Sequence, residues 1–171
     1  MKLPDLLIED LDVVFCGTAA GDKSAELKAY YAGPGNQFYS IINSVGFTPI
    51  KLLPSQFPDL LNYRIGLTDI AKFAQGVDAK LKSSDFDVMG FKEKIIKYQP
   101  KYVCFNGKEA ARVFYSLKQT KNIKYGIQTD IIKKTKLFVA PSTSGSARGY
   151  WDENVWKELF ELLKNRKVHK S

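Results

Sequence analysis

The sequence predicts an α/β fold in which helices cover both faces of a mainly parallel sheet. Strand-like and helix-like segments alternate along the chain, and each strand-like segment is a continuous apolar run. Such runs are typical of parallel strands that are buried on both faces. With 171 residues, of which 44% are hydrophobic, the chain is expected to form a single domain over 1–171.

Four segments have the composition of buried strands. They are "LDVVFCG" at 11–17, "YRIGLTD" at 63–69, "KYVCFNG" at 101–107 and "KLFVA" at 136–140. Ligands of open α/β sheets bind at the carboxyl ends of the strands, which meet at one edge. We therefore expect the small and polar residues at the four strand ends to converge on one rim: Cys16-Gly17, Thr68-Asp69, Asn106-Gly107 and Ala140-Pro141.

Helical spacing of apolar residues predicts helices within 35–46, 84–100, 108–118 and 152–165. Local signals predict their ends: Gly46 and Pro100 stop the first two, Ser84 or Asp85 caps the second, and Asp152 caps the last. The basic residues that follow, at 163–171, are expected to form a flexible tail.

Composition excludes several kinds of catalytic site. The two cysteines, Cys16 and Cys104, lie inside apolar runs and are expected to be buried structural thiols. Two cysteines are too few for an iron–sulfur centre or a four-cysteine zinc site. The one histidine, His169, is two residues from the end, so a histidine-based triad or metal site is not expected. The sequence thus predicts no metal and no cofactor.

The formal net charge is +8, from 26 Lys and Arg against 18 Asp and Glu. A basic balance favours a polyanionic partner, because neutralising phosphates releases counterions. No apolar run reaches the roughly 18 residues that span a bilayer, and the N-terminus has no secretory apolar region. We therefore expect no membrane partner and a cytoplasmic protein, associated with the nucleoid in a prokaryote.

Three short motifs carry candidate chemistry, each with a structural alternative. "GTAAG" at 17–21 lacks both the lysine of a phosphate loop and the third glycine of a dinucleotide fingerprint, which leaves a tight turn with exposed amides. In "YYAGPGNQFY" the glycines would display Tyr30 or Tyr31 for stacking on a base, unless both rings pack in the core. "PSTSGSAR" offers hydroxyls and Arg148 to phosphates, unless it is a solvated loop.

Taken in order along the chain, six segments resemble the uracil-DNA glycosylase superfamily, and in particular its mismatch-specific uracil and thymine branch. The segments are "FCGTAAG" at 15–21, "YAGPGNQFY" at 31–39, "GFTP" at 46–49, "GLTD" at 66–69, "YQPKYVCFNGK" at 98–108 and "PSTSGSAR" at 141–148. The resemblance implies a three-layer α/β/α fold around a parallel four-stranded sheet. It also implies a metal-free, monofunctional enzyme that flips a damaged base from duplex DNA and hydrolyses its N-glycosidic bond.

The resemblance also implies roles for individual residues. Tyr31 would stack on the flipped base, while Gly17, Thr18 and Ala19 would line the base pocket with Asn36 nearby. The partner would be double-stranded DNA that contains uracil or a mismatch, bound by a monomer.

The loop after the last strand would grip the DNA backbone. By resemblance, Ser142, Thr143 and Ser144 would contact phosphates that flank the lesion. Arg148 would fill the gap that the flipped nucleotide leaves, with Ser146 or Ala147 as alternatives.

The first motif departs from the family. The branch usually has an Asn that positions the attacking water where this chain has Ala19, and a His, Asn or Met where it has Ala140. Our first hypothesis is that the chemistry has moved to Asp69, with Asp22 and Asp78 as further candidates. Alternatively, the enzyme works without a strong base, or the protein binds lesions without catalysis. Uracil opposite guanine is the expected substrate, with thymine weaker.

Overall fold

Five strands form one mixed sheet in a computed structural model, which describes residues 3–71 and 88–169 and side chains as far as residue 164. The strands are β1 (Val13–Gly17), β2 (Ile65–Asp69), β3 (Tyr102–Asn106), β4 (Gly126–Ile132) and β5 (Thr135–Ala140). Their spatial order is β2-β1-β3-β5-β4. The strands β2, β1, β3 and β5 run parallel to one another, and β4 runs antiparallel to β5.

The α/β class is confirmed, but the prediction of a four-stranded, mainly parallel sheet is corrected to five strands in a mixed sheet. The missed strand is β4, which lies at an edge and is buried only at its two ends, Gly126 and Ile132. Because an edge strand exposes most of its side chains, β4 contains no continuous apolar run. A two-residue turn, Lys133-Lys134, connects it to β5, with Lys133 at φ 55°.

Five α-helices flank the sheet in the described part of the chain: α1 (Asp22–Leu27), α2 (Phe38–Val45), α3 (Val88–Tyr98), α4 (Lys108–Tyr115) and α5 (Glu153–His169). The described residues also include two 3-10 helices, at Pro54–Tyr63 and Gly145–Tyr150. None of these helices is both long and apolar enough to cross a bilayer.

The helix signals that depend on a single residue are confirmed where the structure describes them. Gly46 follows α2 with φ 116°, and the carboxylate of Asp152 accepts a hydrogen bond from the backbone N–H of Asn154 at 3.0 Å. Ser84 and Asp85, the predicted caps of α3, lie outside the described residues. The backbone of α5 is helical to His169, so most of the tail predicted to be flexible continues this helix.

Successive side chains of a strand point to opposite faces of the sheet, so the buried residues form two clusters, one on each face. On one face, Phe15 of β1 packs with α2 and with Trp156 of α5. On the other face, Val14 and Cys16 pack with α3 and α4. Cys16 and Cys104 are buried and unbridged, as the sequence predicts. In the described part of the chain, helices therefore lie on both faces of the sheet.

Strand register brings four residues into one row at the carboxyl edge of the sheet. Gly17 is paired with Asp69 across β1 and β2. Cys16 is paired with Phe105, which places Asn106 beside Gly17 on the other side, and Asn106 is paired with Ala140. The row Asp69–Gly17–Asn106–Ala140 thus forms the floor on which a site can be built.

The free edge of β2 is covered by the N-terminal segment. Leu6 and Leu67 form an antiparallel bridge, in which each backbone N–H donates to the carbonyl of the other, at 2.9 and 3.0 Å. The hydroxyl of Thr68 donates to Asp5 at 2.6 Å, which holds the same segment against β2. The apolar run at 6–8 is too short for the sequence to predict this contact.

We predict that Gly46→Ala lowers the free energy of unfolding by about 2 kcal/mol, because the residue has φ 116° and an added Cβ would lie 2.8 Å from the Phe160 ring of α5. Urea denaturation measures the change. The matched control is Gly149→Ala, where an added Cβ meets nothing within 4 Å; its effect should be within about 0.5 kcal/mol. Equal stabilities of the two variants would contradict this account of how α2 packs on α5.

Candidate active site

A cavity of about 600 Å³ opens above the carboxyl edge of the sheet. Its lining includes most of the sequence-predicted site residues: Gly17, Thr18, Ala19, Asp22, Tyr31, Asn36, Asp69, Ser142, Thr143, Ser144 and Ser146. Arg148 is not part of this lining, and Asp78 lies outside the described residues. The volume is within the range of ordinary small-molecule sites.

Asp69 is the buried carboxylate of this cavity, with 5% of the residue exposed. The side chain lies over Gly17, where an added Cβ would be 2.8 Å from Asp69 Oδ1. A residue larger than glycine at position 17 would therefore push the carboxylate aside. Asp22, in contrast, is exposed at the start of α1. Of the two candidate carboxylates that the structure describes, only Asp69 lies on the cavity floor.

The backbone on either side of this carboxylate is fixed by hydrogen bonds to the first turn. The N–H of Ile70 donates to the carbonyl of Gly17 at 2.9 Å, and the N–H of Ala71 donates to that of Thr18 at 2.7 Å. The end of β2 and the turn after β1 therefore form one rigid unit. Ala19, next in this turn, is half-buried and carries no polar side chain.

Tyr31 occupies the cavity in a strained backbone conformation, with φ 56°. Its ring packs on Phe38, with centroids 4.2 Å apart and an interplanar angle of 31°. The hydroxyl reaches the floor, 3.5 Å from the position of a Cβ at Gly17. Burial, and then the negative charge of Asp69, raise the pKa of Tyr31, whereas the Asn106 side chain acts in the opposite direction. Tyr31 is therefore a neutral hydrogen-bond donor.

Asn106 connects the sheet to the loop that follows β5. Its amide nitrogen donates to the hydroxyl of Thr143 at 3.0 Å, and its carbonyl oxygen accepts from the Thr143 N–H at 3.0 Å. The Thr143 carbonyl in turn accepts from the N–H of Gln37 at 2.9 Å. These bonds join the end of β3, the loop after β5 and the start of α2. Thr143 is 1% exposed, so its hydroxyl serves this internal network.

Asn106 was not among the site residues that the sequence predicted. Its place at a strand end on the same rim as Asp69 was the available signal. Asparagine also follows apolar strands in proteins that have no binding site at that edge. The sequence pattern alone therefore assigns no role to Asn106. Its role becomes visible only through its contacts with Thr143.

Three serine side chains lie along the rim in series. The Ser142 hydroxyl accepts from the Ser144 N–H at 3.2 Å, and the hydroxyls of Ser144 and Ser146 are 2.9 Å apart. Beyond them, the guanidinium of Arg148 is exposed and donates to the carbonyl of Gly35 at 3.2 Å. The loop after β5 thus packs on the Gly-Pro-Gly turn, and its serine hydroxyls line the cavity while Arg148 lies against the turn outside the lining.

Asn36 lines the cavity from the opposite side of that turn. Its side-chain carbonyl accepts from the N–H of Phe38, the first residue of α2, at 2.9 Å. This bond fixes the orientation of the amide next to the cavity. Within the described ranges, no group of three or more His, Cys, Asp or Glu side chains is placed to hold a metal ion.

Comparison with known proteins identifies the family. The model of the uracil DNA glycosylase superfamily matches residues 4–164, so the chain belongs to that superfamily. A similar solved structure is the solution NMR structure of a Methanosarcina acetivorans protein with the provisional description of a uracil DNA glycosylase. It is 24% identical, the match covers 95% of this chain and 97% of that one, and the TM-score is 0.67. At this identity the likeness shows the fold.

We predict that Thr143→Val lowers the free energy of unfolding by roughly 1–3 kcal/mol, because the buried amide nitrogen of Asn106 loses its acceptor. Chemical denaturation measures the loss. The control is Ser146→Ala, which removes an exposed hydroxyl and should change stability by less than about 0.5 kcal/mol. A wild-type midpoint for Thr143→Val would contradict the proposed connection between the strand and the loop.

Proposed function

We propose that this member of the superfamily flips uracil, above all uracil opposite guanine, out of duplex DNA and hydrolyses its N-glycosidic bond to leave an abasic site. Membership of the superfamily supports DNA glycosylase function. The observation that carries the proposal is the buried carboxylate of Asp69 on the floor of a cavity of about 600 Å³, which is large enough to admit a base and where the Tyr31 hydroxyl also lies.

In this proposal the DNA backbone binds along the rim. Ser142, Ser144 and Ser146 offer hydroxyls to phosphates, and Arg148 lies beside them. Thr143 is enclosed, so it contributes by holding these serines in place. The net charge of +8 supports binding to a polyanion. Arg148 is also the residue proposed to fill the gap left by the flipped nucleotide, with Ser146 and Ala147 as alternatives.

The flipped base enters the cavity between Tyr31 and the first turn. Tyr31 stacks on the base while Phe38 supports the ring from behind, and Gly17, Thr18 and Ala19 form the adjacent wall. Asn36 lies beside the base. Flipping a base costs a few kcal/mol and costs least at a mismatch, which favours uracil opposite guanine and a mismatch-specific enzyme.

Asp69 supplies the chemistry in our proposal. The bond between C1′ of the sugar and the base nitrogen breaks, and the electron pair leaves with the base. The carboxylate stabilises the positive charge that develops on the sugar. A water molecule adds to C1′ and transfers a proton to Asp69, which later releases it to solvent, and the departing base anion takes up a proton from solvent. The products are the free base and an abasic sugar.

A second candidate follows from the methyl groups of Ala19 and Ala140, which stand where relatives of the proposed branch have polar side chains. A chain with no catalytic group there could bind mismatches or lesions without cleaving them. An enzyme that relies on backbone amides and the shape of its pocket alone is the intermediate case.

The first test is base excision itself. We predict that excess protein incubated with a labelled G:U duplex produces abasic sites, detected by strand cleavage in alkali, with thymine excised more slowly. Hypoxanthine and xanthine duplexes define the range of bases, and a G:C duplex is the control. Tight binding to the G:U duplex without any abasic product would favour the lesion-binding candidate over our proposal.

We predict that Asp69→Asn lowers the single-turnover rate of uracil excision by about 100-fold or more, because the amide neither stabilises the sugar cation nor accepts a proton. Asp22→Asn tests the exposed alternative, and Asp59→Asn is a control at an exposed carboxylate in the 3-10 helix. Both should keep a rate near that of the wild type. If Asp69→Asn also keeps it, the assignment is wrong, and a rate independent of pH from about 5 to 9 would favour catalysis without a base.

A further inference from the structure

Tyr150 is the one exposed aromatic side chain of the described residues. The residue is 76% exposed, whereas each of the other tyrosines that the structure describes is buried or half-buried. A tyrosine ring has a large apolar face, and this face contributes to stability or binding only when something covers it. The Tyr150 ring is therefore available to a ligand or partner.

The backbone that carries this ring is held by contacts on its far side. Tyr150 is the last residue of the 3-10 helix Gly145–Tyr150, and the next residue, Trp151, donates its N–H to the carbonyl of Arg148 at 3.2 Å. The Trp151 ring packs near that of the buried Trp156, with centroids 6.2 Å apart. A ligand that covers the Tyr150 ring therefore has little of the chain to order on binding.

The ring also lies close to the cavity. Ser146 lines the cavity, and Tyr150 follows it by four residues in the same 3-10 helix. At a rise of about 2 Å per residue, the two residues are separated by about 8 Å along the chain. This distance corresponds to roughly two nucleotide steps of DNA, at about 3.4 Å each. The neighbours of a nucleotide whose base occupies the cavity are therefore within the range of the Tyr150 ring.

Two cations lie on the same surface as this ring. The guanidinium of Arg148 is exposed two residues earlier, and the ammonium of Lys108, the first residue of α4, lies 4.4 Å from the centre of the Tyr125 ring. Burial, and then the nearby Tyr150 and Asp152, raise the pKa of Tyr125, which indicates that Tyr125 and Tyr150 are neighbours. The Asp152 carboxylate is engaged at the start of α5. With the net charge of +8, the two cations favour a polyanion as the partner.

We propose that Tyr150 binds DNA outside the cavity: its ring stacks on a base that has lost a stacking neighbour because the adjacent nucleotide is flipped out. This inference rests on the proposed function. Bases inside an intact duplex are stacked on both sides and offer no free face to a side chain. Removal of one base from the stack exposes the faces that border the gap, and an aromatic ring can cover such a face. Tyr150 thus acts on the DNA that remains stacked, whereas Tyr31 acts on the flipped base itself.

The decisive variant is Tyr150→Ala, measured by binding to a duplex in which a non-cleavable 2′-fluorinated deoxyuridine lies opposite guanine. We predict that Kd rises by about 5- to 100-fold, because the stacking contact is lost. Binding to the same duplex with a C:G pair at that position should weaken by less than about twofold, since it offers no free base face. Tm should stay near that of the wild type, because the side chain is exposed.

Two further variants serve as controls. Tyr150→Phe keeps the ring, so its Kd for the fluorinated duplex should stay within about threefold of the wild type. Leu53→Ala removes another large exposed side chain, 61% exposed and outside the cavity lining, and should bind both duplexes like the wild type.

Stacking can also be observed directly with 2-aminopurine, a base whose fluorescence rises when it loses a stacking neighbour and falls when an aromatic ring stacks on it. The probe replaces, in turn, each of the three bases that border the fluorinated nucleotide: its two neighbours and the base opposite. At one of these positions we expect the bound duplex to be brighter with Tyr150→Ala than with the wild type.

The outcomes separate this inference from the proposed function. Wild-type binding of the fluorinated duplex by Tyr150→Ala overturns the inference, and so does an equal loss on the paired duplex, which would assign the ring to contact with the DNA backbone. A wild-type protein that sediments as a dimer and becomes a monomer with Tyr150→Ala would make a second copy the partner, which also overturns it. If the wild type forms no abasic sites but Tyr150→Ala still loses the fluorinated duplex selectively, the proposed function fails and the stacking contact stands.

Discussion

The site depends on the absence of a side chain at Gly17. Strand register places this glycine between Asp69 and Asn106 at the carboxyl edge of a sheet whose faces are both covered. A Cβ there would contact the Asp69 carboxylate at 2.8 Å and approach the Tyr31 hydroxyl. The glycine thus lets two polar groups from different parts of the chain pack against the same point of the backbone.

Hydrogen bonds between loops make the candidate site rigid. Asn106 holds Thr143, Thr143 holds Gln37, and Arg148 contacts the carbonyl of Gly35. Catalysis by fixed dipoles and charges requires groups that do not reorganise as charge develops. A site at the ends of parallel strands meets this requirement when the loops that leave the strands are bonded to one another, as they are here.

The sequence predicts the parts of this structure that depend on local signals. Apolar runs gave the four parallel strands, and Gly46 and Asp152 gave helix ends, because backbone conformation and capping are determined within a few residues. β4 was missed because an edge strand with exposed polar residues has no apolar run. The convergence of strand ends pointed to Asp69, but the role of Asn106 depends on Thr143, 37 residues away along the chain.

Repulsion between carboxylates offers a physical reason why an alanine at position 19 accompanies an aspartate at position 69. Both line the same cavity, and Asp69 is already a buried carboxylate there. A second carboxylate in the first turn would repel the first and raise the pKa of one of the two, which favours its protonated form. A protonated acid can neither stabilise a sugar cation nor accept a proton from water. If the proposed chemistry resides at Asp69, a methyl group at position 19 adds no competing charge beside that carboxylate, and the small side chain leaves room for the base.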